Sequence, residues 1–455
     1  MSTKSPEYKR LESLYAQFEA SIPLSKLCNE EGTALTTFNG NKTRPIHRWF
    51  AYKEGFSASL YPWIISRLSL EPSGSIQMLD PFCGVATSLL SAQSTFVPLP
   101  DMLVGVEVNP FVAWVARTKA NWYLYNPEII RNFIPKLVAK VLACKGCDDE
   151  SALPPLSTIN NPNYFDPNRL HKLLCIRTFI ETNIPQPERD FFLLGWSAVL
   201  ELASNLRKDG RALRRVENRV ALPLDKLLEG QWMLMLQDLL FVNRAKIRRE
   251  ENTIVPVRIH NEDGRTLPSL QGTTELFDLV VYSPPYPNNI DYSEVYKVEL
   301  WLNRFVCTQA EFRELRFQTL RSHPSVSFPE TNHLTILDTA SWPCRLTEAL
   351  IEALPINKDF RWRSRLIRGY VEDMYLSLLN QYRLMKSNGY IICVVGNSVH
   401  GNSLNQYCIA ADLLIASLAQ VVGFQVKELV VARDFTRRKL RSSFNRESIL
   451  IFRKM

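Results

Sequence analysis

Three short stretches of this chain carry side chains whose types and spacing could do chemistry together. The first is Asp80-Pro81-Phe82-Cys83-Gly84-Val85-Ala86-Thr87, which follows a short apolar run and precedes an apolar helical one. A glycine just past a buried strand lets backbone amides approach a ligand closely, and the N-terminus of the next helix favours negative charge. The second is Glu107, in Gly105-Val106-Glu107-Val108-Asn109-Pro110. A carboxylate at the end of the following strand can accept both hydroxyls of a ribose. The third is Ser283-Pro284-Pro285-Tyr286, after the apolar run Phe277–Tyr282. It falls at the carboxyl end of a strand, where open α/β sheets place their ligands. Its two prolines stiffen the loop and present carbonyls that no neighbouring strand needs. Tyr286 offers a flat face for stacking on an aromatic ring, and Ser283 a hydroxyl for the same ring's edge.

The elements that must position these residues are legible as an alternation of strands and helices. Ile76–Leu79 and Met102–Val108 are expected as buried strands, with helices from about Ala86 and over Phe111–Trp122. Pro110 at a first helical position fits its fixed φ and missing N–H. Thr253–Ile259, Phe277–Tyr282 and 390–398 are further expected strands, with a helix over Val371–Met385. Phe424–Ala432 and Ser448–Phe452 are expected to close the chain as an antiparallel pair. About seven strands, mostly alternating with helices, argue for a doubly wound α/β fold whose largely parallel sheet is covered on both faces. Six regions are expected. They are a helical lead-in at 1–42, with a helix over Glu7–Glu19, and a first part of the core at 43–122. A helical insertion at 123–250 and a second part of the core at 251–302 follow. A smaller irregular insertion at 303–369 precedes the last part of the core at 370–455. Ser57 is the expected N-cap of a helix within 43–68.

A strand–turn–helix unit with an acid on the second strand suits NAD, FAD or S-adenosylmethionine. Only one firm glycine stands in the turn and there is no G-x-G-x-x-G, so the pyrophosphate-cradling loop is missing and dinucleotides are disfavoured. Composition sets the wider bounds. The 455 residues are 46% hydrophobic and 22% charged, an ordinary globular mix that excludes wholesale disorder. Nine scattered cysteines frame no disulfide scaffold and suit a reducing compartment. The first residues lack the apolar core of a signal peptide, and no uncharged apolar run reaches the ~20 residues of a membrane span. The expectation is a cytoplasmic protein with no membrane partner. A formal charge of +8 permits a polyanionic partner without demanding one, so placement matters more. The basic residues cluster in 207–219, 361–370 and 433–446. Any one run is equally readable as a solvated face; together they favour phosphate contact through Arg211, Arg214, Arg215, Arg361, Arg363, Arg437, Arg438 and Lys439.

Asp80-Pro81-Phe82-Cys83-Gly84 with Thr87, followed by Ser283-Pro284-Pro285-Tyr286, resembles the S-adenosylmethionine-dependent DNA amino-methyltransferases, which modify the exocyclic amine of cytosine (N4) or adenine (N6). The Ser-Pro-Pro-Tyr form is the one most associated with cytosine-N4 enzymes. The resemblance covers about half the chain and implies a Rossmann-like methyltransferase sheet. It implies that Asp80, Phe82, Gly84 and Thr87 line the methionine end of S-adenosylmethionine, that Glu107 binds its ribose and that Asp263 approaches its adenine. Pro81, Cys83, Asn109, His47 and Phe56 are counted into the same cofactor site, the last two because segment 43–57 sits where the family has a methionine-binding element. Ser283, Pro284, Pro285 and Tyr286 would hold a base flipped out of double-stranded DNA. The setting implied is bacterial or archaeal restriction–modification or phage defence, with a cognate restriction or defence protein as a further partner. Two departures stand out: Ala86 replaces the usual second glycine, and the helical block separates the ribose acid from the Ser-Pro-Pro-Tyr loop.

Other readings stay open beside this one: adenine N6, an RNA base amine, and a non-catalytic DNA-reading subunit of a defence complex. No metal is expected. Cys144-Lys145-Gly146-Cys147 is a lone pair without clustered histidines and reads as a turn more readily than as a zinc site. Cys344, after Pro343, lies in the expected irregular insertion rather than at a strand end, which argues against a nucleophilic cysteine.

Overall fold

The computed structural model describes residues 5–69, 76–94, 100–144, 163–208, 213–216, 219, 222–248, 254–288, 290–401, 406–435 and 442–455. One eight-stranded sheet organises them. Its strands in chain order are β1 (Leu24–Lys26), β2 (Ile76–Asp80), β3 (Pro100–Val106), β4 (Val257–His260), β5 (Phe277–Tyr282), β6 (Met385–Gly396), β7 (Phe424–Asp434) and β8 (Arg446–Lys454). In space the order is β1-β7-β8-β6-β5-β2-β3-β4. Only β8 runs against the others; its two ladders, to β6 and β7, are antiparallel and every other pairing is parallel. The expected doubly wound sheet is present, with β1 as an eighth strand added at one edge. Three residues at an edge make too short a run to read from sequence.

Alternation along the strands shows why the sheet is buried on both faces. Met78, Leu279, Val281, Ile392 and Val394 join one apolar cluster, while Leu79, Val280, Tyr282, Ile391 and Cys393 join another. The helices Thr87–Ser94 and Pro110–Ala120 and the block 123–248 contribute to the first cluster; Pro6–Glu19, Trp342–Glu352, Phe360–Leu384 and Ala411–Val422 contribute to the second. Among its described residues, the block beyond residue 122 is mostly helical and carries a small antiparallel pair, Leu206–Lys208 with Leu213–Arg215. Its packing is fixed partly by indole donors: Trp232 Nε1 to Phe192 O and Trp196 Nε1 to Leu173 O, both 3.0 Å.

Two local expectations are corrected. The helix expected from Val371 begins at Phe360, so most of the arginine-rich stretch 361–370 is its first turns, and residues 309–318 and 342–352 of the supposedly irregular insertion are also helical. Ser57 is not the N-cap: the helix is Leu60–Leu68, and the Ser57 hydroxyl accepts from the Ser59 amide, one residue before it.

The N-terminal segment clasps the far edge of the sheet. The helix Asn29–Thr36 crosses β7 so closely that a Cβ on Gly32 would lie 1.7 Å from the Ala432 carbonyl oxygen. A Gly32→Ala change forces backbone apart and is expected to cost about 1–3 kcal/mol, read as a lower urea midpoint at unchanged slope.

Candidate functional site

The sheet changes direction between β2 and β5. From β2 the chain builds outward through β3 and β4, then returns to place β5 on the other side of β2. Ligands of open α/β sheets bind in the crevice outside the carboxyl ends of strands at such a switch point. Here β2 and β5 are paired in parallel, Met78 opposite Leu279 and Leu79 opposite Val280. The 80–87 loop and the 283–286 loop therefore leave the sheet side by side. They share a cleft, walled also by Tyr52, residues 54–56, 106–109 and 263–265, and by Leu315, residues 318–320, Ser322 and His323.

The first loop is shaped by its own hydrogen bonds. Gly84 has φ 52°, a conformation that favours glycine, and a Cβ there would meet the Tyr52 ring at 3.1 Å. Ala86, where the methyltransferase pattern has a glycine, nevertheless keeps a left-handed φ of 64°. Asp80 does not line the cleft. Its buried carboxylate lies beneath the loop, accepting from the Phe82 amide at 3.1 Å and from the Ser88 hydroxyl. Pro81, Phe82, Cys83, Gly84 and Thr87 do line it. The Cys83 thiol also packs into the core, and burial pushes it well above its ordinary range.

Glu107 stands just past β3. Gly84 N donates to its Oε2 at 3.1 Å and Asn109 N to its Oε1 at 2.9 Å. It therefore ties the first loop to the start of the next helix, which Asn109 caps by accepting from the amides of Phe111 and Val112. Burial pushes the Glu107 carboxyl up to about 7 despite these amides, and pushes Asp80 up to about 7 as well. Asp263 reaches the wall, but its carboxylate is held by a fork of bonds from Arg265 at 2.8–3.0 Å. Gly264 beside it lets the wall close on the first loop, since a Cβ would sit 2.0 Å from Pro81 O.

On the other side, Ser283 Oγ donates to the Tyr286 hydroxyl at 3.0 Å, and that hydroxyl donates to Glu447 Oε1 at 3.2 Å. Gly396 leaves room for the ring: a Cβ there would lie 2.8 Å from it. Phe56 is part of the cleft wall, whereas His47 lines a neighbouring hollow with Lys119, whose Nζ donates to His47 O.

Several cleft residues have no motif to announce them. Tyr52 stacks on Tyr296, with centroids 5.4 Å apart and planes at 15°. Glu54 accepts from the Tyr296 hydroxyl at 2.6 Å on one oxygen, and its other oxygen is buried without a hydrogen-bond partner. His323 reaches the cleft from the 303–369 insertion, its Nε2 3.0 Å from Thr319 Oγ1, and also lines the adjoining hollow between residues 321–332 and the helix Phe360–Leu384.

The arginines expected on DNA are placed unevenly. Arg214 and Arg215 are exposed on the small antiparallel pair and Arg361 is exposed on its helix, while Arg363 pairs with Asp359. Arg211, Arg437, Arg438 and Lys439 lie outside the described residues, as does Cys147 of the cysteine pair. Cys344 sits in the first turn of the helix Trp342–Glu352, away from the cleft wall. No group of side chains that could hold a metal ion, and no helix long and apolar enough to cross a membrane, occurs among the described residues.

Over 430 residues, 87% of this chain, the protein is 23% identical to the type II methyltransferase M.AvaI, both from Nostoc sp. strain PCC 7120 and from Anabaena variabilis, covering 83% of that protein. This chain is a relative of the type II methyltransferases. M.BsoBI from Geobacillus stearothermophilus is 25% identical over 58% of the chain and 54% of its own length, and M.MvaI from Kocuria varians is 21% identical over 87% and 85%. No protein-family model matches the chain. The cofactor is S-adenosylmethionine, and the cleft fits it. Gly84 opens the loop, Glu107 presents a carboxylate at the strand end, and Glu54 in the same wall keeps one buried oxygen without a hydrogen-bond partner.

The two raised carboxyls fix the sign of a pH effect. A carboxyl whose folded value lies near 7 stays protonated in the native state where the unfolded chain has released its proton. The ligand-free protein thus loses stability as pH rises from about 4.5 through 7. Binding has the opposite trend, because ribose hydroxyls and a sulfonium favour carboxylates. S-adenosylmethionine affinity, measured by calorimetry, is expected to rise about tenfold between pH 6 and 8 through Glu107, and Glu107→Gln to bind more weakly with a shallower rise. A flat wild-type profile would remove Glu107 from the ligand.

Proposed function

We propose that this protein is a site-specific DNA methyltransferase of a restriction–modification system, transferring a methyl group to the exocyclic N4 of cytosine. The observation that carries the proposal is the convergence of the 80–87 and 283–286 loops on one cleft at the switch point, with Glu107 at the end of the next strand bonded to the first loop. The type II methyltransferase relatives, aligned over most of the chain, support the DNA substrate. The Ser-Pro-Pro-Tyr form of the second loop supports cytosine N4 over adenine N6.

Bound S-adenosylmethionine supplies an electrophilic methyl group on a sulfonium. The rest is the work of the chain's own residues. Gly84, Phe82 and Glu107 fix the cofactor's ends, and the Tyr52–Tyr296 stack closes the wall behind it. An exocyclic amine is a poor nucleophile because its lone pair is delocalised into the ring. The Ser283 hydroxyl and the Pro284 carbonyl draw its two N–H bonds out of the ring plane, which localises the lone pair toward the methyl group. The gain comes from positioning and preorganised acceptors, with no covalent link between enzyme and base. The base must leave the duplex to reach this depth, and stacking on Tyr286 offsets part of the unstacking cost of a few kcal/mol. Arg215 and Arg361, on the surface, would meet backbone phosphates, and the 303–369 insertion, which carries His323 to the cleft, would read the target.

Nucleosides from the DNA of a methylation-deficient bacterium expressing the protein are expected to contain N4-methylcytosine by mass spectrometry. The Tyr286→Ala variant should yield at most one hundredth as much. N6-methyladenine instead would overturn the base assignment and keep the chemistry; unmodified DNA from both would overturn the proposal.

A further inference from the structure

Methylation of an amine leaves one proton to be removed, and the hydrogen bonds behind the Ser-Pro-Pro-Tyr loop run in one direction. Ser283 Oγ donates to the Tyr286 oxygen at 3.0 Å and Tyr286 donates to Glu447 Oε1 at 3.2 Å. Glu447 belongs to β8, more than 160 residues away in the chain (447 − 283 = 164). Its other oxygen accepts from Arg433 Nε of β7 at 2.7 Å, which holds the carboxylate in place and leaves Oε1 to the tyrosine. Glu447 is only 4% exposed and Tyr286 is packed over Gly396, so the chain is shielded from bulk water at its inner end.

We infer that Glu447 is the terminal proton acceptor of the methyl transfer, reached through Tyr286 and Ser283. This rests on the proposal that the cleft methylates a base amine. As the amine nitrogen bonds to the methyl carbon, the C–S electron pair stays on sulfur and the nitrogen becomes cationic. One of its protons passes to Ser283 Oγ, the serine proton passes to the Tyr286 oxygen, and the tyrosine proton passes to Glu447 Oε1. Serine and tyrosine end as they began, and the carboxylate ends as a carboxylic acid that releases its proton to solvent with product. Each bond already has the donor and acceptor sense the transfer needs. Burial beside a carboxylate makes a free Tyr286 phenolate costly, so the hops occur together rather than through a charged tyrosine. Glu447 touches neither base nor cofactor. It is a positioning and relay residue, and no local motif around Arg446-Glu447-Ser448 announces it.

The test is single-turnover methyl transfer to unmethylated duplex DNA in mixtures of H₂O and D₂O. The wild type is expected to show a curved dependence on deuterium fraction, the signature of more than one proton in flight. Glu447→Gln and Tyr286→Phe should each slow transfer at least tenfold, within the usual range for proton-transfer catalysis, and make that dependence linear. Their double variant should be no slower than the worse single one, and S-adenosylhomocysteine affinity should stay unchanged throughout. A wild-type rate in Tyr286→Phe, which leaves the Glu447–Arg433 pair intact, overturns the relay. So does slowing that leaves the isotope dependence unaltered. No transfer by the wild type onto any base would instead sink the methyltransferase proposal beneath it.

Discussion

Two rungs of parallel pairing, Met78 beside Leu279 and Leu79 beside Val280, decide where the chemistry can happen. They join strands almost two hundred residues apart in the chain (277 − 80 = 197). Because side chains alternate, a slip of one residue would turn Val280 and Tyr282 out of the apolar cluster they fill and carry the Ser283 loop to a different height. The pairing is held by burial on both faces, so the position of the cleft is a consequence of the core rather than of the loops that line it. Everything placed at the carboxyl ends inherits that precision: the first loop, Glu107 one strand further out, and the Tyr286 ring against β6.

Inside the cleft the controlling physics is desolvation. Glu107 in the wall and Asp80 beneath the first loop are driven up to about 7, and Tyr52 and Tyr286 in the wall, with Tyr296 behind it, are driven well above their usual range. No cation among the described side chains bonds the Glu107 oxygens; two backbone amides do. A site that holds acids this way favours a cationic ligand carrying hydroxyl donors. The ion pairs nearby do structural work instead, as where Arg265 bridges Asp263 and Asp373 and ties the 263–265 wall to the helix Phe360–Leu384.

Much of this was legible in the residues themselves. The strand Phe277–Tyr282 ends where its apolar run ends, and the glycine, acid and double-proline motifs all fall at strand termini because those are the places where the run must stop. What was hidden has physical reasons. Asp80 looks like a ligand-facing acid but is spent on the Phe82 amide and the Ser88 hydroxyl. The helix Phe360–Leu384 begins in an arginine-rich stretch whose exposed Arg361, Arg365 and Arg368 obscure the buried line of Ile367, Tyr370, Val371 and Met374. His323 reaches the cleft, and Glu447 the back of the 283–286 loop, only through tertiary packing, from segments with no motif of their own.

Photo-crosslinking of methyl-labelled S-adenosylmethionine, with the labelled peptide sequenced, tests the central claim most directly, because it locates the cofactor without assuming what it methylates. The account predicts label on Tyr52, Phe82 or Tyr286, three of the aromatic rings that line the cleft between β2 and β5. Saturable label confined to peptides away from that cleft would contradict it.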